Sequence, residues 1–306
     1  MNGFMRSRGF VGGRLCFAAL CAITAAAVVP ARADECVRWT LACPPPRHYP
    51  ALAYDAGRQV TVLFGGYGSD SSPFGDTWEW DGTLWHLRVT NGPSPRYQHV
   101  LAYDSQRGVT TLFGGVRYTN TYEWLTDTWE WGGQSWTQKA SSGPPARRAL
   151  AMAYDAARGV MVLFGGISSA GVYLADTWEW NGSTWTQRAS SGPPARSYHA
   201  LAYDAARQVT VLFGGTQASG TNLGDTWEWD GTTWTQRADG PPRYTHALAY
   251  DSARHVVVLS GGYRDGYGNL GDTWEYDGAA WTQRAPPASR RATATAQPTT
   301  PPGSVR

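Results

Sequence analysis

One pattern of apolar and polar positions recurs five times along the chain. In the fourth copy, small and large side chains alternate over residues 199–203, and a nearly continuous apolar run follows at 209–213. Alternation is typical of a strand with two different faces, whereas a continuous apolar run is typical of a strand covered on both. Residues 225–229 read Asp-Thr-Trp-Glu-Trp, which places both tryptophans on one face of a third strand, and residues 234–237 supply a fourth. Each copy therefore predicts four short strands.

Turn residues separate these strands. The connection between the first two ends in glycine in two of the copies, Gly108 and Gly159, where a short hairpin needs a residue tolerant of positive φ. A Gly-Gly pair ends the second strand, and a dipeptide such as Asp230-Gly231 joins the third to the fourth. Such dipeptides favour hairpin turns. We therefore expect the four strands to be antiparallel neighbours in one sheet.

The copies form a regular repeat. Their Tyr-Asp pairs follow one another at steps of 49, 51, 49 and 47 residues, beginning at Tyr54, Tyr103, Tyr154, Tyr203 and Tyr250. A unit of this length cannot bury its apolar face alone, and radial packing of such units leaves only short protected edges. The repeat predicts an all-β propeller of five blades, each with four antiparallel strands. The first tryptophan of each third strand should be buried between blades: Trp78, Trp129, Trp178, Trp227 and Trp274.

The repeat also resembles the kelch family of β-propellers. The resemblance rests on the glycine pairs, such as Gly65-Gly66, and on the spaced aromatics that follow them, such as Trp78 and Trp85. It covers residues 47–285 and implies the fold, whereas function does not follow because one fold hosts many functions.

The number of copies departs from the family pattern, because kelch propellers more often have six or seven blades. Residues 34–46 resemble the end of a further copy, since Trp39-Thr40 before a proline run parallels Trp281-Thr282 before Pro286. We expect this segment to add an outer strand to the last blade and so close the ring.

Both ends of the chain have the composition of segments outside the fold. Residues 1–33 combine arginines, an apolar stretch at 15–29 and a small-residue site at 31–33, which is typical of a secretory signal peptide. The apolar stretch is short for a membrane span. Residues 286–306 are rich in Pro, Thr and Ala and contain no aromatic residue, which predicts disorder. The mature protein is therefore expected to be secreted or periplasmic, without membrane insertion.

Charge and cysteine content agree with export. Removing residues 1–33 takes Lys+Arg from 26 to 22 against 24 Asp+Glu, a net charge near −2, and residues 34–285 alone are near −5. This acidic balance argues against a nucleic-acid partner, because nucleic-acid affinity depends on phosphate neutralisation. The two cysteines that remain, Cys36 and Cys43, predict a disulfide, with two free thiols as the alternative.

The ionisable residues that recur in every copy favour a structural role. Each copy has one Arg before its first strand and one Glu in its third strand, as Arg196 and Glu228 in the fourth. A cationic ring at the channel mouth would suit a carboxylate or sulfate, but ion pairing with nearby Asp or Glu accounts for residues that every repeat requires. Three copies also carry a histidine on the first strand: His99, His199 and His246. Because equivalent positions lie apart around a ring and no carboxylate recurs beside them, we expect no metal site and no cofactor.

Three enzyme classes can be compared with the sequence. Galactose oxidase needs a cross-linked Cys-Tyr pair, and no cysteine follows Cys43. Sialidase propellers carry an aspartate at the position where this chain has Pro73 and Asn222. Sialic-acid epimerases of the kelch type need only carboxylates and arginines, so they are the alternative that the sequence disfavours least, although no catalytic pair is identified.

Variation between copies indicates where binding takes place. First and third strands run in the same direction, so the connections into strand one and those between strands two and three share one face, and the latter connections differ in every copy. Binding residues favour loops held by a rigid scaffold. Trp39 has a repeat-like position, so Trp124 is the one tryptophan that the repeat does not account for, and it lies in the longest of these loops. The candidate ligand-binding residues on this face are Tyr67, Arg117, Tyr118, Tyr122, Trp124, Tyr173, Tyr263, Arg264 and Tyr267.

We therefore expect an exported, monomeric binding protein that recognises a glycan or an extracellular protein without catalysis. The alternative is a sugar-active enzyme that uses the same face. Only the enzyme has a further requirement: its general acid would need a loop carboxylate with a raised pKa in a deep axial pocket.

Overall fold

The computed structural model describes residues 43–284, all of whose regular secondary structure is β-strand. These residues contain no helix that could span a bilayer. The strands form five blades in a propeller ring, as the repeat predicts. Blade 1 contains β1 (Arg47–His48), β2 (Ala51–Asp55), β3 (Val60–Phe64), β4 (Tyr67–Gly68), β5 (Thr77–Trp80) and β6 (Trp85–Val89). Blade 2 contains β7 (Val100–Asp104), β8 (Val109–Phe113), β9 (Val116–Tyr118), β10 (Tyr122–Trp124), β11 (Thr128–Trp131) and β12 (Trp136–Ala140).

The remaining blades follow the same plan. Blade 3 contains β13 (Arg147–Arg148), β14 (Ala151–Asp155), β15 (Val160–Phe164), β16 (Ile167–Ser168), β17 (Thr177–Trp180) and β18 (Trp185–Ala189). Blade 4 contains β19 (Ala200–Asp204), β20 (Val209–Phe213), β21 (Thr226–Trp229) and β22 (Trp234–Gln236). Blade 5 contains β23 (Ala247–Asp251), β24 (Val256–Ser260), β25 (Tyr263–Arg264), β26 (Gly268–Asn269), β27 (Thr273–Tyr276) and β28 (Trp281–Arg284).

Each blade is a four-stranded antiparallel sheet in chain order, such as β2-β3-β5-β6 and β23-β24-β27-β28. In blade 1, Ala51 pairs with Phe64, Phe64 with Thr77, and Trp80 with Trp85. The first hairpin turns as predicted, because Gly108 and Gly159 both adopt φ of 67°. The outer strand of blade 5 is formed by Trp281–Arg284.

The core lies between neighbouring blades. At the interface of blades 1 and 2, Ala51 and Phe64 of one blade contact Leu101 and Leu112 of the next. Side chains of both sheets thus share one apolar cluster, and such contacts fill protein interiors at high density.

The tryptophans of the third strands are buried to a different extent than the sequence predicts. The most deeply buried tryptophan and tyrosine rings are the second aromatics of the third strands in blades 2 to 5, Trp131, Trp180, Trp229 and Tyr276, each at most 1% exposed. Of the first tryptophans, Trp78 is buried and the other four are half-buried. The indole nitrogen of Trp129 donates to Asp127 at 2.7 Å, and its ring packs against the interface of blades 1 and 2. None of these rings is fully exposed.

The recurring charged residues form ion pairs within each blade. Arg96 is fully buried and makes a bidentate pair with Asp127 at 2.7 and 2.8 Å, and it also donates to the Gly114 carbonyl. Burial alone would raise the pKa of Asp127, but the bonds from Arg96 and Trp129 outweigh burial and lower it. Equivalent pairs occur in all five blades. A buried ion pair is tolerated only with such geometry, so the predicted structural role of these arginines agrees with the contacts.

Several sequence predictions concern residues outside 43–284. Among them are the signal peptide (1–33), the tail (286–306) and most of the strand segment expected at 34–46, of which only 43–46 are described and contain no strand. The predicted disulfide involves Cys36, which also lies outside the described residues, while Cys43 is half-buried. These points remain predictions.

Candidate functional site

The connections between the second and third strands lie on one face of the ring, which we call the loop face. They pair with the segments that enter the first strands, as His48 does with Tyr67 and Arg148 with Ile167. The shared face expected from strand direction is therefore present. In blades 2 and 5 the loop forms a hairpin of its own, β9-β10 and β25-β26.

A rim of five residues surrounds the axis on the loop face. One residue from each blade adopts a left-handed backbone with φ of 53° to 55°: Tyr49, Gln98, Ala149, Tyr198 and Thr245. Backbone hydrogen bonds join them in sequence, from the Gln98 nitrogen to the Tyr49 carbonyl at 3.3 Å through to Thr245 and Tyr198 at 2.9 Å. None of the five is glycine, although this backbone costs other residues free energy. The rim is thus held by the assembled blades.

An axial cavity of about 230 Å³ opens inside the rim. Its lining contains the five rim residues and, one position further along each blade, Pro50, His99, Leu150, His199 and His246. The lining includes no Asp or Glu among the described residues.

One side-chain hydrogen bond crosses the cavity mouth. Gln98 of blade 2 donates through Nε2 to the Tyr198 hydroxyl of blade 4 at 2.8 Å. The intervening rim residue is Ala149, whose short side chain leaves room for this bond. The Gln98 Oε1 atom is buried and has no hydrogen-bond partner within residues 43–284. Buried amide groups without partners are uncommon, so Gln98 Oε1 is an unsatisfied acceptor at the rim.

The three histidines are buried and neutral. The rings of His99, His199 and His246 lie edge-on against Phe64, Phe164 and Phe213 of the preceding blades. Burial, and then the neighbouring Arg96 or Arg243, lowers the pKa of His99 and His246 to about 3, and the pKa of His199 is also lowered. Their ring nitrogens make no hydrogen bond within the described chain. No three His, Cys, Asp or Glu side chains of residues 43–284 are grouped as metal ligands.

The predicted aromatic residues lie outside the rim, in groups. Tyr67 contacts Tyr97 with ring centroids 4.8 Å apart, and Tyr118 contacts Tyr122 at 5.1 Å. Tyr263 contacts Tyr244 at 5.5 Å. Tyr173 is half-buried beside Ile167, to which it is bridged. Tyr267 is 70% exposed, and the Arg264 guanidinium stacks on it at 4.2 Å. The loop face therefore presents several separate aromatic surfaces.

The second loop brings Trp124 towards blade 3. Trp124 is half-buried, and the guanidinium of Arg148 lies 5.4 Å from its ring centroid. Arg117, another candidate binding residue of this loop, pairs with Glu123 and so is neutralised within the hairpin. Trp124 thus connects two blades, and its cationic neighbour is Arg148.

Sequence reasoning missed the residues nearest the axis. These residues occupy the two positions after the recurring arginine that precedes each first strand: His48-Tyr49, Tyr97-Gln98, Arg148-Ala149, Ser197-Tyr198 and Tyr244-Thr245. Variation was the available signal, because these pairs differ in every copy while the arginine before them is constant. The predicted site residues all lie in the longer loops.

Comparison with known proteins identifies the fold and no family. The chain matches no protein-family model and no curated protein sequence. It is similar to a solved structure described as "Structure of YjhT", with a TM-score of 0.62 and 15% sequence identity over 78% of this chain and 84% of the other. At this identity the similarity concerns the propeller fold alone.

Proposed function

We propose that this protein is an exported kelch-type propeller that binds a glycan or an extracellular protein through its loop face, without catalysis. One observation carries the proposal: the charges common to all copies form ion pairs inside the blades, whereas the residues that vary between copies lie on the loop face. These variable residues include several tyrosines, Trp124 and Arg148, and tyrosine, tryptophan and arginine side chains contribute most to binding energy at protein surfaces. The proposal includes that the mature protein acts outside the cytoplasm and as a monomer.

The alternative enzyme has less support. A sugar-active enzyme of this type needs a carboxylate as general acid or base beside the substrate. In the described chain two loop-face carboxylates already have partners, since Glu123 pairs with Arg117 and Asp265 accepts from Asn222 at 2.8 Å. The axial cavity itself is lined by amide, hydroxyl, imidazole and apolar groups.

Trp124→Ala tests the proposal once mature protein has been screened against glycans and secreted proteins. Loss of this anchor should weaken binding by at least about tenfold, which corresponds to about 1.4 kcal/mol. The melting temperature should stay nearly unchanged, because the ring is only half-buried. Leu84→Ala is the matched control, since Leu84 is 40% exposed in a turn on the opposite face. Unaltered affinity with a lowered melting temperature would contradict the proposal for this loop.

A further inference from the structure

The third-strand glutamate of blade 2 lacks a hydrogen bond that its equivalents have. In the other blades the Oε2 atom of this glutamate accepts from the Nε atom of a fourth-strand arginine at 2.6–2.8 Å: Arg88, Arg188, Arg237 and Arg284. Blade 2 has Lys139 there, the only lysine of the chain, and its Nζ atom lies 3.8 Å from Glu130 Oε2. That distance is too long for a hydrogen bond, and no other group of residues 43–284 donates to Oε2. Glu130 is only 7% exposed, so a nearly buried carboxylate keeps one oxygen without a donor.

The turn after this strand also lacks a contact that the other blades have. Its first residue is Asp or Asn in four blades, and the Oδ1 atom of that residue accepts from the backbone N–H groups two and three positions later, as Asp230 does at 2.7 and 2.8 Å. Blade 2 has Gly132 instead. The backbone N–H groups of Gln134 and Ser135 therefore have no side-chain acceptor within the described residues.

A cavity of about 300 Å³ joins these groups on the face opposite the loop face, which we call the turn face. Its lining includes Glu130, Gly132, Gln134, Ser135, Thr137 and Lys139. The volume is at the lower end of the range of ligand sites, which is about 300–1,000 Å³. One cavity therefore adjoins an acceptor and two donors that the other blades satisfy with their own side chains.

The charges beside the cavity balance one another, which favours a neutral ligand. Glu130 Oε1 accepts from Arg107, which also pairs with Asp104, and Lys139 is the second cation beside Glu130. Two cations thus face two carboxylates, and a charged ligand would add a charge without a partner, which is costly once it is partly removed from water. A hydroxyl group costs much less to bury. Because it is both donor and acceptor, one hydroxyl can accept from Lys139 Nζ and donate to Glu130 Oε2.

We propose that the turn-face cavity of blade 2 binds a neutral polyol such as a hexose or a cyclitol. One hydroxyl bridges Lys139 and Glu130, and another accepts from the backbone N–H groups of Gln134 and Ser135. Hydrogen bonds to charged groups are about twice as strong as neutral ones, so the bridging hydroxyl supplies most of the affinity. A ring with several hydroxyls makes both sets of bonds at once, whereas a single alcohol does not. The site lies on the other face from the loop-face residues, so the inference goes beyond the proposed function and does not depend on it.

The only lysine of the chain provides a reporter for this site. Mature protein labelled with carbon-13 at the lysine Cε atom gives one lysine signal in NMR. The protein is titrated separately with glucose, galactose, myo-inositol, cyclohexanol and sodium acetate. We expect a saturable shift of the Lys139 signal with at least one of the three polyols. Cyclohexanol, which has one hydroxyl, and acetate, which has a charge, should bind at least about tenfold more weakly than that polyol.

The other blades supply the variants that should close the site. Lys139→Arg restores the arginine of those blades, and Gly132→Asp restores the turn acceptor of blades 1, 4 and 5. A Cβ atom at Gly132 meets no atom within 4 Å, and its φ is not left-handed, so Asp fits there. Each variant should weaken polyol binding at least about tenfold in saturation-transfer NMR without lowering the melting temperature. Leu87→Ala, at an exposed outer-strand position of blade 1, is the control and should leave the binding unchanged.

Several results would overturn the inference. A Lys139 signal that none of the three polyols shifts would do so, as would polyol binding that both Lys139→Arg and Gly132→Asp retain. Acetate that shifts the signal as strongly as the polyols would show a simple anion site instead. Polyol binding that Trp124→Ala weakens while the Lys139 signal stays in place would put the ligand on the loop face, which would preserve the proposed function and refute the turn-face site.

Discussion

The four interfaces between consecutive blades differ from the region where blade 5 faces blade 1. At each of the four, an aromatic group of a third strand donates to the glutamate of the preceding blade, as Trp131 does to Glu79 at 2.8 Å. A fourth-strand tryptophan also donates to a threonine of that blade, as Trp136 does to Thr77 at 2.8 Å. Within residues 43–284, Trp80 and Trp85 of blade 1 make neither bond to blade 5.

Several residues at the surfaces between blades 5 and 1 differ from their equivalents at the other four interfaces. We call the facing surfaces of blades 5 and 1 the 5/1 seam. Blades 1 to 4 end their second strand in phenylalanine, whereas blade 5 has Ser260, and blade 1 has Pro50 where three other blades have histidine. Leu52 and Tyr54 are 51% and 58% exposed, although their equivalents in the other blades are buried or half-buried. An interface therefore needs matched residues on both sheets, and repeating the blade alone does not supply them.

The largest expected effect compares the two equivalent tryptophans. Trp131→Ala should lower the free energy of unfolding by about 3–5 kcal/mol, because it removes a fully buried ring and an N–H bond to Glu79. Trp80→Ala should lower it by less than half as much, since Trp80 is half-buried at the seam and makes no such bond in the described chain. Urea denaturation of both variants gives the two values. Equal losses would show that the seam is packed like the other interfaces.

Acid should weaken three of the regular interfaces selectively. His99, His199 and His246 have folded-state pKa values below the 6.5 of an unfolded histidine, about 3 for the first and third. The unfolded chain then binds protons that the folded protein does not, so stability is complete above pH 6.5 and falls as the pH drops from there towards 3. Each histidine should cost up to about 1.4 kcal/mol per pH unit.

His246→Leu sharpens this measurement because Leu150 already occupies the equivalent position in blade 3. The variant should lose about a third of the slope of unfolding free energy against pH between 7 and 5. The aspartates paired with arginine, such as Asp225, have lowered pKa values and lose their stabilising effect only below the unfolded value of about 4. An unchanged slope in His246→Leu would mean that this histidine is protonated in the folded protein.

The smallest effect concerns the threonine bonds. Thr177→Val should cost about 1–3 kcal/mol, because it leaves the indole N–H of Trp234 without an acceptor at a buried interface. Thr273→Val at the seam should change stability by no more than about 0.5 kcal/mol, as is usual for sites without such features. Thermal unfolding of the two variants measures both changes in stability. A comparable loss in Thr273→Val would indicate that its hydroxyl has a partner at the seam.

The sequence was sufficient for the blades because each one is specified locally. Strand alternation, the glycine turns and the Arg-Asp pairs all lie within about 50 residues and recur in every copy. The predicted four-stranded blade was therefore confirmed five times. The burial of the individual tryptophans was not specified by local sequence. Trp129 and Trp131 point to the same face of one strand, and only the position of the neighbouring blade decides which of them is covered.

The candidate site was predicted in part for a related reason. The loop face followed from strand direction, but contacts across the axis did not, because Gln98 and Tyr198 are 100 residues apart and meet only in the ring. Likewise, Arg148 and Arg147 are adjacent and identical in type. Only the structure shows that one is paired with Asp176 and the other has no carboxylate partner among residues 43–284.

The left-handed rim has a consequence for how such a protein diversifies. Neighbouring blades hold the backbone there, so side chains as different as those of Tyr49, Gln98, Ala149 and Thr245 occupy equivalent places without altering the fold. Together with the residues just before them, they form ten positions that differ from blade to blade on a backbone that stays the same. Repetition of one blade thus supplies a constant scaffold whose axial surface can change one side chain at a time.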